Sequence, residues 1–157
     1  MSEKEVTGER PAESAASVKF RRPAAELVQR IARRVVRGGK ATFASQVEFR
    51  EALLRQMRRE EPLATIGGAR LRRLVVAVPG VRMTVRYTER EDPRPLLRCP
   101  VCGATLAPIR NRTLSDETVV LGQRCTQCDY WTHRLRRVPV RYAFSWGGID
   151  GRPLHRD

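Results

Sequence analysis

The sequence predicts an α+β fold in which a basic, mostly helical half precedes a β-rich metal module. Three observations carry that prediction. Apolar residues recur at helical spacing from Ala24 to Val36, and they switch to alternation with polar residues from Val81 to Thr88. All four cysteines stand in two Cys-x-x-Cys pairs, Cys99/Cys102 and Cys125/Cys128. A chain of 157 residues has room for one ordinary domain or two small ones.

Residues 1–17 hold few apolar side chains to offset the entropy of ordering and predict a disordered tail. Pro23 suits the first position of a helix, whose buried stripe is Ala24, Leu27, Val28, Ile31, Ala32, Val35 and Val36, and Gly38-Gly39 ends it. Ala41-Thr42-Phe43 forms a short extended link. Ser45-Gln46-Val47-Glu48 then matches the capping box, in which the serine hydroxyl and the glutamate carboxylate satisfy exposed amides. The second helix buries Phe49, Leu53, Leu54 and Met57, turns Arg50, Arg55, Arg58 and Arg59 to water, and stops before Pro62.

Thr65 caps a third helix expected from about Ile66 to Ala77, with Leu71, Leu74, Val75 and Val78 inward and Arg70, Arg72 and Arg73 elsewhere. Gly67 and Gly68 each weaken it by roughly 1 kcal/mol relative to Ala. After Pro79-Gly80, Val81, Met83, Val85 and Tyr87 form the dry face of a strand. Glu89 to Pro95 makes a charged tip, and Leu96-Leu97 starts the return strand. Helix, link, helix, turn, helix, strand, tip and strand is the order of a winged helix-turn-helix, assigned to residues 18–98. Ile31, Phe49, Leu53, Leu71, Leu74, Val75 and Val85 give that segment an expected core of its own.

Two residues between paired cysteines let a tight turn aim both thiolates at one ion, and Gly103 relieves the first turn sterically. Cys99, Cys102, Cys125 and Cys128 together complete a closed tetrahedron. The segments 105–111, 118–124 and 129–135 are β-rich, and residues 99–138 read as a ribbon folded by one structural zinc ion; a rubredoxin-like iron site and a dithiol redox pair are the alternatives. His133, five residues after Cys128, is the other candidate ligand. Tyr130 and Trp131 are expected to pack within the ribbon. Residues 139–157 form a C-terminal extension, whose alternating Tyr142, Phe144 and Trp146 are expected to pack against the ribbon or the first domain.

Lys and Arg total 31 against 17 Asp and Glu, a formal charge of +14. Residues 18–98 hold 20 of these cations and 8 of the anions, so a polyanion would meet that region first. Arg70, Arg72 and Arg73 on the third helix, and Arg90 and Arg94 at the tip, are the candidate nucleic-acid contacts. A solvated arginine-rich surface is the competing reading. No His-x-Glu pair accompanies the cysteines, no phosphate-binding glycine loop is present, and neither His133 nor His155 stands in a catalytic motif, so no enzyme and no small-molecule substrate is expected. No run approaches the roughly 20 apolar residues of a membrane span, and residues 1–17 lack a secretory apolar core. A cytoplasmic protein is expected.

Ser45-x-x-Glu48, the Ile66-Gly67-Gly68-Ala69-Arg70-Leu71-Arg72-Arg73-Leu74 helix, the Val81 to Tyr87 strand and the two cysteine knuckles stand in an order that resembles a family of predicted archaeal transcription regulators. Those proteins join a helix-turn-helix domain to a C-terminal zinc ribbon. The resemblance spans roughly residues 24–131 and implies DNA binding and transcription regulation. Duplex DNA is the expected partner. An RNA-binding factor of a ribosome or other ribonucleoprotein, and an adaptor touching the transcription or translation machinery, remain open from the sequence.

Overall fold

The computed structural model describes residues 19–38, 42–92 and 94–147. The tail expected over residues 1–17 and the last part of the extension lie outside them. The elements are α1 (Ala25–Gly38), β1 (Thr42–Phe43), α2 (Gln46–Met57), α3 (Gly68–Val75), β2 (Val81–Glu91), β3 (Leu106–Arg112), β4 (Thr118–Cys125), β5 (Trp131–Thr132) and β6 (Leu135–Trp146). This is a mixed α+β arrangement of three helices and two small antiparallel sheets, ordered β1-β6-β2 and β3-β4-β5. None of the described helices is long and apolar enough to cross a membrane.

The helices follow their apolar spacing. Leu27, Val28, Ile31, Ala32, Val35 and Val36 are buried along α1, while Arg30, Arg33, Arg34 and Arg37 are exposed. At the start of α2 the Ser45 hydroxyl accepts from the Glu48 amide at 3.2 Å, and the Glu48 carboxylate accepts from the Ala44 amide at 3.0 Å. The capping box therefore closes one residue further back than its usual form. Helix α3 is shorter than its apolar pattern. It begins after Gly67, which occupies the cap position in place of Thr65 and has no side chain to cap with, while the Thr65 amide bonds the Arg21 carbonyl at 3.0 Å. A Cβ on Gly68 would stand 2.0 Å from the Gln46 side-chain nitrogen, so a larger residue there would have to displace the Gln46 amide.

The largest departure from expectation concerns the first sheet. Leu96-Leu97 forms no strand, and Leu97 is exposed. The partner of β2 is β6, which runs antiparallel to it from Val81↔Trp146 to Glu91↔Leu135 and also pairs with β1 through Phe43↔Phe144. The reason is apolar burial. Phe144 is fully buried and stacks on Phe49 with centroids 4.4 Å apart, and Phe43 lies 5.3 Å from Phe49 on the other side. Leu96-Leu97 offers nothing comparable. The register shifts between Arg86 and Tyr87, which face Arg141 and Pro139 and leave Val140 as the extra residue; a bulge is where a strand tolerates proline.

Two expected boundaries move accordingly. Strand β6 crosses residue 138, so the segment taken as an extension supplies the middle strand of the first sheet. Residues 18–98 alone lack that strand, and the core around the helices also takes in Phe144 from it. The ribbon is inserted between β2 and β6 rather than appended after a finished domain.

Within the ribbon, β3 and β4 match the expected strands to within a residue, with Leu106↔Cys125 and Ala107↔Arg124 in register. The third is cut to Trp131–Thr132, since the chain turns there into β6. Residues spaced by two share a sheet face, so Val81, Met83, Val85 and Tyr87 form one apolar row. That row serves two cores in succession: Val81 and Met83 pack against the helices, and Met83, Val85 and Tyr87 against a second cluster of Cys99, Val101, Cys102 and Tyr130.

Candidate metal centre

Among the described residues, the fully buried part of the second cluster is Val101 and Tyr130 with two of the cysteines, and the apolar residues around it, such as Met83, Val85 and Leu106, are only partly buried, a small core for three strands. The sulfur atoms converge at its centre. The Sγ atoms of Cys99, Cys102, Cys125 and Cys128 all lie within 4.8 Å of one another, with Cys99 to Cys128 at 3.6 Å and Cys102 to Cys125 at 3.5 Å. A tetrahedron with metal–sulfur bonds of about 2.3 Å has edges of about 3.8 Å. The donor set therefore fits a single ion.

Two hairpin-like turns produce this convergence. In the first, the Cys99 amide donates to the Ala104 carbonyl at 2.9 Å and the Gly103 amide to the Cys99 carbonyl at 2.8 Å, while Gly103 takes the left-handed conformation at φ 78°. In the second, the Cys125 amide donates to the Tyr130 carbonyl at 2.8 Å, and the Cys125 sulfur accepts from the amides of Gln127 and Cys128 at 3.3 and 3.4 Å. Amides aimed at sulfur favour the thiolate.

Close sulfur–sulfur contact moves the thiols of Cys99 and Cys128 in opposite directions. The hydrogen bond from Cys128, helped by the amides of Cys102 and Val101 against opposing burial, pulls the Cys99 thiol down to about 5. Burial pushes Cys102 up to about 11, and the hydrogen bond with Cys99 pushes Cys128 up as well. A cation bound among the sulfurs would favour the thiolate at each of them. Four sulfurs would fill a tetrahedral shell, so an ion held here would cross-link the two turns and leave no open position. His133 stands outside the cluster, its ring edge-on to Trp131 at 4.8 Å.

The arginines expected to contact nucleic acid have divided roles. The Arg72 Nε donates to the Val101 carbonyl at 2.7 Å and its Nη1 to the Gln46 side-chain oxygen at 2.6 Å, with the guanidinium over the Tyr142 ring at 4.4 Å. It clamps α3 to α2, to the central strand and to the first knuckle. Arg70 donates to the Pro23 carbonyl at 2.8 Å, its Nη1 is buried without a hydrogen-bond partner, and burial, ahead of the charges of Arg22 and Arg73, lowers its pKa. Arg73 is exposed beside the first knuckle, where a Cβ on Gly103 would lie 3.3 Å from its Nη2.

Arg90 and Arg94 lie at the other end of β2 from α3. Arg90 is exposed opposite Arg136 in the register. Arg94 is held by Asp92 at 3.0 Å, and Arg136 donates to both the Asp92 carboxylate and the Arg94 carbonyl. Hydrogen bonding from Arg94, backed by the Arg136 charge, draws the Asp92 carboxyl down to about 2. Arg94 is thus part of a neutralised tip, while Arg90 stays open to solvent.

One exposed residue escapes the sequence reading. Tyr130 is buried, its hydroxyl donating to the Arg137 carbonyl at 2.9 Å, but Trp131 is 44% exposed. Neighbours on an extended chain point to opposite faces, and that rule is the signal by which Trp131 can be found. The Arg137 guanidinium sits between the Tyr87 and Trp131 rings, 4.1 and 4.3 Å from their centroids. Comparison with protein-family models, with characterised proteins and with solved structures finds no match to this chain.

Proposed function

We propose that the protein is a DNA-binding transcription regulator in which α1, α2, α3 and the first sheet act as a winged helix and the four cysteines hold one structural zinc ion. The observation that carries this reading is the connectivity: helix, short strand, two helices and two long antiparallel strands, with the last strand between the first two in the order β1-β6-β2. In a winged helix-turn-helix this order makes α3 the helix offered to the major groove, and the β2–β6 hairpin the wing. Arg73 is its exposed arginine. Arg72 positions the helix, and Arg70, also on α3, ties it to the segment preceding α1.

Zinc is favoured by the donor set, because four converging thiolates in a closed tetrahedron suit a borderline-soft ion without redox demands. The regulator then carries its metal module inside the wing, where the Arg72 clamp joins it to α3. Fluorescence anisotropy with a labelled duplex across a salt series tests the function. Binding with a steep negative salt slope, shallower by about 0.9 in Arg73→Ala, is expected if Arg73 meets one phosphate. Absence of duplex binding, with structured RNA bound in its place, overturns the DNA reading.

A further inference from the structure

We infer that the outer face of the metal module carries a stacking site for an unpaired base of a single-stranded nucleic acid, built on Trp131 and flanked by Arg110 and Arg124. The site is separate from α3 and needs no duplex.

The register of the second sheet assembles it. Arg124 is directly opposite Trp131 on one side and Ala107 on the other, so the three side chains share a face, and Ile109 follows Ala107 on that face. The opposite face carries Gln123 and the buried Thr132, which is turned toward β6 through a hydrogen bond from its hydroxyl to the Leu135 carbonyl at 2.8 Å. The outer face is left open. It borders a groove of about 780 Å³ lined by Ile109, Arg110, Arg124, Asp129, Trp131 and His133, among others.

The chemistry of that lining is selective. Trp131 is fixed from two directions, by the Arg137 guanidinium over its ring and by the edge-on His133 ring, so its remaining surface is presented with little conformational freedom to lose. An indole held in this way offers a flat apolar partner to any base, whereas bases inside a duplex already stack on their neighbours. Arg110 and Arg124 have no ion-pair partner among the described residues, and Asp129 is the lone carboxylate of the lining. Aromatic surface in a groove that also carries two guanidinium groups matches a base and its flanking phosphates. A protein-docking role for the same face would be served better by the neighbouring Val119, Val120 and Leu121, which do not line the groove.

The test uses the metal-loaded full chain and unstructured oligothymidylate and oligouridylate of about fifteen nucleotides, which separate DNA from RNA as the source of the strand. Trp146→Phe leaves Trp131 as the sole indole. In that variant its fluorescence is expected to be quenched by one or both oligonucleotides and not by heparin, which supplies charge without bases. Trp131→Ala is expected to weaken single-strand binding about tenfold or more, Trp131→Tyr to restore most of it, and Arg110→Ala or Arg124→Ala each to flatten the salt slope by about 0.7.

Duplex binding should be unchanged by Trp131→Ala, so failure of the α3 reading would appear separately, as a chain that holds single strands but no duplex. Equal quenching by heparin, no quenching by either oligonucleotide, or full-strength binding by Trp131→Ala overturns the site. If Trp131→Ala loses its metal, the quenching arm decides alone.

Discussion

The Arg72 guanidinium donates to the Val101 carbonyl at 2.7 Å, so α3 and the first cysteine knuckle form one mechanical unit. The same side chain bonds Gln46 and covers Tyr142, and three neighbours would lose a partner together.

Arg72→Ala should therefore lower stability by about 2 kcal/mol, the usual range for hydrogen bonds from a charged group to a half-buried acceptor. It should also speed metal release to a chromogenic chelator. Arg73→Ala, on the exposed face of the same helix, should change stability by less than about 0.5 kcal/mol. Arg72→Lys should rescue poorly, because an ammonium cannot reach both acceptors and lie flat on a ring. Urea melts of the three variants check this.

A chain truncated after residue 98 should fail to give a dispersed NMR spectrum, because it lacks β6. In the full chain, Phe144→Ala should cost about 3–5 kcal/mol through the cavity left against Phe49 and Phe43. Native-like dispersion from the truncated chain would mean that β1 and β2 close the sheet without their middle strand.

Elemental analysis should find one zinc per chain. Chelation should abolish the ribbon's NMR signals, since ligand binding and folding of so small a module are the same equilibrium. Cys102→Ser should bring the ribbon close to that state before any chelator is added. Iron as the bound metal, or a ribbon indifferent to chelation, would rule out the structural zinc.

Asp92 should titrate at about 2. Its folded value is depressed below the roughly 3.9 of an unfolded chain, so its contribution is present above that pH and is lost as the pH falls through about 2. Carbon-detected NMR of the Asp92 carboxyl gives the midpoint directly. Asp92→Asn should flatten the acid limb of stability while leaving neutral-pH metal content intact.

What could be read from the sequence was local. The Ser45/Glu48 cap, the α1 stripe from Leu27 to Val36, the alternation of Val81 to Tyr87 and the two knuckles each depend on residues a few positions apart and are found where their spacing places them, whereas Ala24, expected in the stripe, is exposed ahead of α1. The identity of the strand beside β2 depends instead on a pairing between Val81 and Trp146, a separation at which no periodicity operates. Leu96-Leu97 was the more apolar nearby candidate, and Pro139 with its neighbouring arginines disguised β6. Arg72 shows the same limit at the site: its spacing on α3 identifies a basic helix face but not the carbonyl across the fold that it serves.

The insertion of the ribbon between β2 and β6 has a kinetic consequence. A hairpin normally zips from a tight turn, whereas here residues 92–134 must be gathered first, and the entropy of closing so long a loop precedes any reward from β6. During synthesis the three helices emerge well before Trp146, with their apolar faces waiting for Phe144. An ion held by the four cysteines would fasten the two knuckles that bracket most of the loop and so substitute for the missing turn. Metal supply would then govern how quickly the nascent helical half is sheltered from aggregation, even though no ligand of the metal belongs to it.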